Sequence, residues 1–401
     1  MKLRKILALV LTVVLCFGMV SVLASCGRTN EKNYAENNTK IKVGISGPLT
    51  GGAAMYGQAV KNSAQLAINE INAKGGLYGE IKLELVALDD KHDSTLVSTT
   101  YPSLIEDGCQ LFLGTVTTGP GLQFKQFALE DGIFFLTPSA SGDDIPSGDG
   151  GFQMCFTDSN QGTVAAEQYF NTEYKAANKK VGIFYKADDD YSVGIKNNFV
   201  KALDESFGKP VEASFTGDAA LFDSQITLLK DCDVIFMPIY YTPASQFMKQ
   251  AATKVKADAI YFGCDGFDGI DAVDGFDISS ISQEVSYLSH FDSTATTGPA
   301  ATYIANYKKA YPDAPLNQFG AAAYDCVYAM VAALEGADEK VTATTSAQDI
   351  SEILLAEFKG GFVFNGITGE CKDGQKSTIT WKDNGTVVKD AVKYVVAKEE
   401  K

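Results

Sequence analysis

The residues best placed to do chemistry come directly after apolar runs. "SGPLTGGAAMYG" follows "IKVGI", "GTVTTGPG" overlaps the end of "CQLFLG", and "TPSASGDD" ends "IFFL". Further along, "KADDDY" follows "KVGIFY", "YYTPAS" follows "VIFMPI", and "CDGFDG" follows "AIYFG". The first set offers glycines and small hydroxyls, which are neutral hydrogen-bond donors. The second offers tyrosines and aspartates. A small molecule held between the two sets meets neutral donors on one side and a carboxylate on the other.

The parts needed for catalysis are missing. The chain has two histidines, far apart in sequence. His92 in "DDKHDS" reads as a polar loop residue and His290 in "YLSHFD" as a strand-end residue. No G-x-S-x-G occurs, because Ser46 runs straight into Gly47 and Pro48. H-E-x-x-H is absent, as are the P-loop and dinucleotide glycine patterns. In "DGFDGIDAVDGFD", Asp265, Asp268, Asp271 and Asp274 recur every third residue. A calcium loop needs alternate positions and a closing glutamate, so this stretch reads as a solvated acidic loop with one working carboxylate. Asp188, Asp189 and Asp190 read as a solvated turn. No metal and no cofactor are expected.

The elements that must position these loops repeat in order. "IKVGI" is a strand, residues 58–73 carry Val60, Ala64, Ala67, Ile68 and Ile71 at helical spacing, and Gly75 and Gly76 end that helix. "IKLELVAL", "CQLFLG" and "IFFLTP" are strands, with "PGLQFKQFALED" a helix between the last two. Past "FTDSNQG" a second series of alternating strands and helices begins at "KVGIFY". Apolar helices follow, then "GFVFNG", "STITWK" and "VVKDAVKYVVA" as short antiparallel strands. The fold class is α/β, with two doubly wound parallel-sheet lobes. In such sheets ligands sit beyond the carboxyl ends of the strands, where the loops above lie.

Length and charge agree with this picture. A chain of 401 residues suits two ordinary lobes. Acidic residues number 50 against 34 basic, a net charge of −16, which repels nucleic acid and anionic lipid. The first residues form an export signal: "MKLRK" is basic, the next run is apolar, and "LASC" ends at Cys26. That ending resembles a bacterial lipobox, in which Cys26 becomes the acylated N-terminus. Residues 1–25 are then a signal peptide and residues 26–40 a polar tether to the outer face of the membrane. Excluding Cys16 and Cys26, six cysteines remain at wide spacing with no C-x-x-C, and read as buried free thiols.

The run "IKVGISGPLTGGAAMYGQAVKNSAQLAINEINAKGG", with "ALDDKHD", "LGTVTTGP", "LTPSAS" and "DDDYSVGIKNNF", resembles the type I periplasmic solute-binding proteins. The nearest branch is the branched-chain amino-acid (leucine/isoleucine/valine) binding proteins of ABC importers. The resemblance implies three hinge crossovers between the lobes, near Thr157, Leu288 and Phe364. It places residues 41–156 and 289–363 in lobe 1 and residues 157–288 and 364–396 in lobe 2. It also assigns a ligand site. Tyr56, Val116, Thr118, Ser139, Ala140 and Ser141 fall on the first wall, with hydroxyls and backbone N–H groups for an α-carboxylate. Tyr191, Tyr240 or Tyr241, and Asp265 fall on the second, with Asp265 or the nearby Asp268 for the ammonium. Phe319 matches the side-chain pocket. The implied protein is a monomeric, lipid-anchored, extracytoplasmic carrier, not an enzyme. Its partners are a small amino acid or similar zwitterion and the ABC permease subunits. The aromatic "YYTP" leaves aromatic amino acids and amides open beside branched-chain ones. The alternatives are a ligand-sensing receptor of the same fold and an exported hydrolase.

Overall fold

The computed structural model describes residues 39–369, 376–389 and 391–396. Cys26, the signal peptide and nearly all of the tether lie outside these residues, as does Cys371. Strand β1 (Lys40–Gly47) is central in a parallel sheet of order β2-β1-β3, with β2 (Lys82–Asp89) and β3 (Cys109–Gly114). Helix α1 (Ala54–Ala73) buries Val60, Ala64, Ala67, Ile68 and Ile71, the apolar stripe read from sequence. It begins four residues before Gln58, so Tyr56 belongs to its first turn. Gly57 permits this early start, because a Cβ there would lie 2.2 Å from the Pro48 carbonyl oxygen.

Helix α2 (Val97–Glu106) was missed by the periodicity reading. "VSTTYPSLIE" contains Pro102 and several poor helix formers. Burial of Val97, Tyr101, Leu104 and Ile105 on one face outweighs that local preference. Helix α3 (Thr118–Glu130) follows β3, and strand β4 (Phe135–Thr137) pairs in parallel with β5 (Gly151–Gln153).

The second series opens with helix α4 (Asp158–Val164), which continues as a π-helical stretch, Ala165–Tyr174. It proceeds through β6 (Val181–Lys186), α5 (Asp190–Ala202), β7 (Val211–Phe215), α6 (Asp223–Leu229), β8 (Val234–Met237), α7 (Tyr241–Ala251), β9 (Ile260–Gly263) and β10 (Glu284–Ser289). The chain then returns to the first sheet with α8 (Gly298–Ala310), α9 (Gln318–Gly336) and α10 (Ala347–Lys359). Helix α9 lies so close to α1 that a Cβ on Gly320 would stand 3.0 Å from the Ala59 carbonyl oxygen.

The C-terminal strands divide differently from the expected boundary. Strands β11 (Phe364–Gly366), β12 (Ser377–Trp381) and β13 (Val387–Val388) form an antiparallel ribbon on the first lobe. The Trp381 ring packs 4.6 Å from Phe358, and its Nε1 donates to the Gln153 carbonyl at 2.7 Å. Only β14 (Val392–Val395) joins the second sheet, antiparallel to β10, giving the order β14-β10-β9-β8-β6-β7. The third crossing therefore falls between Val388 and Val392, not near Phe364. Phe358, on which Trp381 packs, also meets Phe134 at 5.0 Å and Phe152 at 5.3 Å, and these first-lobe rings hold the ribbon there.

Candidate functional site

Loops from the strand ends of both lobes meet around a small, partly open cavity. Tyr56, Val116, Thr117, Thr118, Ser139, Ser141 and Phe319 line it from the first lobe, and Tyr191, Tyr240 and Asp265 from the second. Its volume is about 10 Å³, about what one water requires. The lobes are drawn together here by specific contacts. Tyr56 Oη donates to the Gly266 carbonyl at 2.5 Å and accepts from the Tyr241 backbone N–H at 3.2 Å. Met55 N–H donates to Tyr241 Oη at 3.2 Å, and Thr242 Oγ1 donates to the Gly52 carbonyl at 2.7 Å.

The second-lobe wall is built around a carboxylate. Asp265 is 1% exposed and accepts a 2.6 Å bond from Tyr191 Oη. Tyr191 Oη in turn accepts from the Gly266 N–H at 2.9 Å. Its ring stacks on Tyr240 with centroids 4.6 Å apart and planes 5° from parallel. Burial pushes the Asp265 carboxyl up to about 6, opposed by the Tyr191 and Gln161 hydrogen bonds. The first-lobe wall is neutral. Ser139 Oγ donates to the Val116 carbonyl and Ser141 Oγ to Asp158, both at 2.7 Å. Thr118 Oγ1 accepts from Gly142 N–H at 3.2 Å, leaving its own proton to donate. Thr118 is also the first residue of α3, whose opening turn carries backbone donors with no helical partner. One side of the cavity thus suits a carboxylate and the other an ammonium.

The model of the family described as periplasmic binding protein matches residues 40–381. The chain belongs to the periplasmic binding protein family. Its type I, branched-chain amino-acid branch is the one its relatives represent. A Leu/Ile/Val-binding protein of Rhizobium johnstonii is 28% identical over 352 residues, which is 85% of this chain and 92% of that protein. The structure of the branched-chain amino-acid transporter substrate-binding protein LivJ of Streptococcus pneumoniae, in complex with isoleucine, is 26% identical. It has a TM-score of 0.70 and covers 88% of this chain and 100% of that one. A Rhodopseudomonas palustris solute-binding protein in complex with 3,4-dihydroxybenzoic acid shares the fold, with a TM-score of 0.73, 18% identity and cover of 90% and 94% of the two chains.

Within this binding-protein fold, nine of the residues read from sequence line the cavity: Tyr56, Val116, Thr118, Ser139, Ser141, Tyr191, Tyr240, Asp265 and Phe319. Two do not. A Cβ on Gly121 would stand 2.9 Å from the Ala140 Cβ, so Ala140 faces α3. Tyr241 stands behind Tyr56, edge-on with centroids 4.8 Å apart, and its hydroxyl is taken up by Met55. Of the Tyr240 and Tyr241 pair, Tyr240 is the lining residue. Asp268 does not substitute for Asp265. It accepts from Gln318 N–H at 2.7 Å and Tyr287 Oη at 3.0 Å, outside the cavity lining.

Sequence reading missed Thr117, which lines the cavity beside Thr118. It also passed over "TDSNQG", whose polar character hides the start of α4. Thr157 Oγ1 caps that helix by accepting from Asn160 N–H at 3.2 Å. The capping threonine ahead of an aspartate was the available signal. Gln161 Oε1 accepts from the Asp265 N–H at 3.0 Å, and Asp158 takes the Ser141 hydroxyl. Burial raises the Asp158 carboxyl well above the usual range. Five cysteines, Cys109, Cys155, Cys232, Cys264 and Cys326, are buried free thiols. Among the described residues no helix is long and apolar enough to cross a membrane.

Proposed function

We propose that this chain is the lipid-anchored, extracytoplasmic substrate-binding protein of an ABC importer. It captures a small amino acid, branched-chain or otherwise hydrophobic or aromatic, and delivers it to a permease. The observation that carries this reading is the pairing in one cavity of a buried carboxylate, Asp265, with the hydroxyls of Thr117, Thr118, Ser139 and Ser141. The ammonium of the ligand pairs with Asp265. Its carboxylate takes hydrogen bonds from Thr118 Oγ1, whose own proton is left to donate, and from the start of α3. Its side chain lies against Tyr56, Tyr240 and Phe319, whose rings close the apolar part of the cavity. Separation of the lobes widens the site for entry, and closure around the ligand presents the form that the permease recognises. No bond is made or broken in this cycle. The relatives' names support the assignment to amino-acid capture.

A thermal-shift screen of the mature protein against the amino acids tests the reading. A one-site ligand at about 100 times its Kd adds about 2.7 kcal/mol of stability. The expected result is a rise in melting temperature with branched-chain or aromatic amino acids. A rise with another solute class alone removes the ligand assignment, and consumption of the solute removes the carrier assignment.

A further inference from the structure

His92 has no part in the site as described so far, yet the structure brings it to the cavity rim. Lys91 and His92 both adopt left-handed backbone, with φ of 54° and 62°. Such backbone is costly for residues with a Cβ. Two carboxylates hold it in place. Asp89 Oδ1 accepts from Lys91 N–H at 3.0 Å and from Leu49 N–H at 2.9 Å, and Asp90 Oδ1 accepts from His92 N–H at 3.0 Å.

The strained loop extends the imidazole from the first lobe across the cleft. Its Nδ1 lies 2.9 Å from Oγ1 of Thr117, a cavity-lining residue. Its ring meets Tyr240, on the opposite wall, edge-on at 5.1 Å. Its Nε2 stands 3.7 Å from Oδ2 of Asp189 on the second lobe. Asp189 is itself fixed, because its Oδ1 caps α5 by accepting from Ser192 N–H at 2.9 Å. Both side chains are largely shielded, 25% and 11% exposed. One residue of lobe 1 therefore touches a site hydroxyl, the aromatic wall and a fixed carboxylate of lobe 2.

We propose that His92 and Asp189 form the latch of the closed cleft, a contact between lobes that braces Tyr240 and slows ligand escape. The inference rests on the reading of the cleft as a ligand trap. A contact completed only after closure acts on the opening step, so its loss appears in the release rate and not in the rate of capture.

The test uses His92→Asn, Asp189→Asn and the double variant. Asparagine tolerates left-handed backbone but is too short to reach across the cleft. At position 189 it keeps the helix cap and removes the charge. Release of isoleucine, the probe, is followed by stopped-flow fluorescence, and lobe separation in the ligand-free protein by X-ray scattering. Each single variant is expected to raise koff about three- to tenfold with kon unchanged. The double variant is expected to release no faster than the worse single one, because both remove the same contact. The ligand-free radius of gyration increases in all three. Unchanged koff and radius overturn the latch, as do single effects that multiply in the double variant. A wild-type protein that takes up no isoleucine counts against the ligand assignment, and the radius comparison then decides the latch alone.

Discussion

Replacing Asp265 with asparagine separates the proposed role of its charge from its place in the fold. The amide keeps the shape and still accepts from Tyr191 Oη, which donates to Asp265 at 2.6 Å. What disappears is a carboxylate that burial pushes up to about 6. Removing one partner of a buried ion pair costs about 3–5 kcal/mol, so Kd for a bound amino acid rises by about two to three and a half orders of magnitude. The ligand-free protein moves the other way. A carboxyl raised from 3.8 to about 6 binds protons more tightly in the folded state. Its contribution to stability is full below pH 4 and is lost as pH rises toward 6. Above pH 6 the penalty reaches about 3 kcal/mol, and Asp265→Asn removes it. At pH 8 the variant is thus expected to melt higher than wild type while binding far more weakly. Titration calorimetry in two buffers of different ionisation enthalpy adds a third reading. An ammonium docking on Asp265 lowers its pKa, so binding near pH 6 releases about half a proton, and binding at pH 8 releases almost none. A variant Kd within threefold of wild type, or no proton release at pH 6, refutes the pairing.

Tyr56→Phe removes the hydroxyl that joins Gly266 O and Tyr241 N–H across the cleft. It is expected to weaken amino-acid affinity about tenfold and to enlarge the ligand-free particle in X-ray scattering; an unchanged radius and Kd would count against Tyr56 as a closing contact. Asp268, pushed up to about 7 by burial, favours the protonated form in the folded state, so its contribution to stability falls as pH rises from about 4 to 7. Asp268→Asn is expected to flatten the melting-temperature profile over that window, and an identical pH slope would contradict the assignment. For the proposed anchor, Cys26→Ser in the full precursor is expected to shift the protein from the membrane fraction to the soluble one after cell fractionation. Persistence at the membrane would exclude Cys26 as the attachment point.

Local pattern made most of the fold legible. Strands such as "CQLFLG" and "VIFM" are short, wholly buried runs, and helix α1 carries its apolar stripe at regular spacing. Where long-range packing decides, the pattern fails. Helix α2 forms against its own propensities because one face is covered. Ribbon β11–β13 follows Trp381 to the first lobe, a choice set by partners far away in sequence such as Gln153. The loops around the cavity were legible because strand ends converge in this architecture, while Tyr56, Tyr191 and Asp265 were singled out by the resemblance to the binding-protein family. Single-residue direction was not. Ala140 and Tyr241 sit next to lining residues in sequence but face away from the cavity, and Thr117 lines it beside Thr118. His92 read as no more than a polar loop residue, since the proposed latch depends on an aspartate that only the folded chain brings within reach.

Hydrogen bonds join the two lobes around the cavity, and buried carboxyl groups stand beside it. Direct contacts that join the lobes near the cavity include the Tyr56 pair, Met55 to Tyr241, Thr242 to Gly52, Ser141 to Asp158, Gln318 to Asp268 and the His92 to Asp189 contact. Each neutral bond is worth about 1 kcal/mol net. Against them, burial raises the carboxyl groups of Asp158, Asp189 and Asp265, and each raised group costs stability at neutral pH. Among the described residues no lysine or arginine lines the cavity to offset Asp265. On the proposed reading the offset comes from the ligand. Its ammonium stabilises the closed form while the open form offers no comparable partner, which is the differential affinity that a population shift requires. A lysine in the cavity would do the same permanently and leave the protein shut. On the proposed reading, a carboxylate without a protein cation therefore favours the closed form more strongly when a solute supplies the cation.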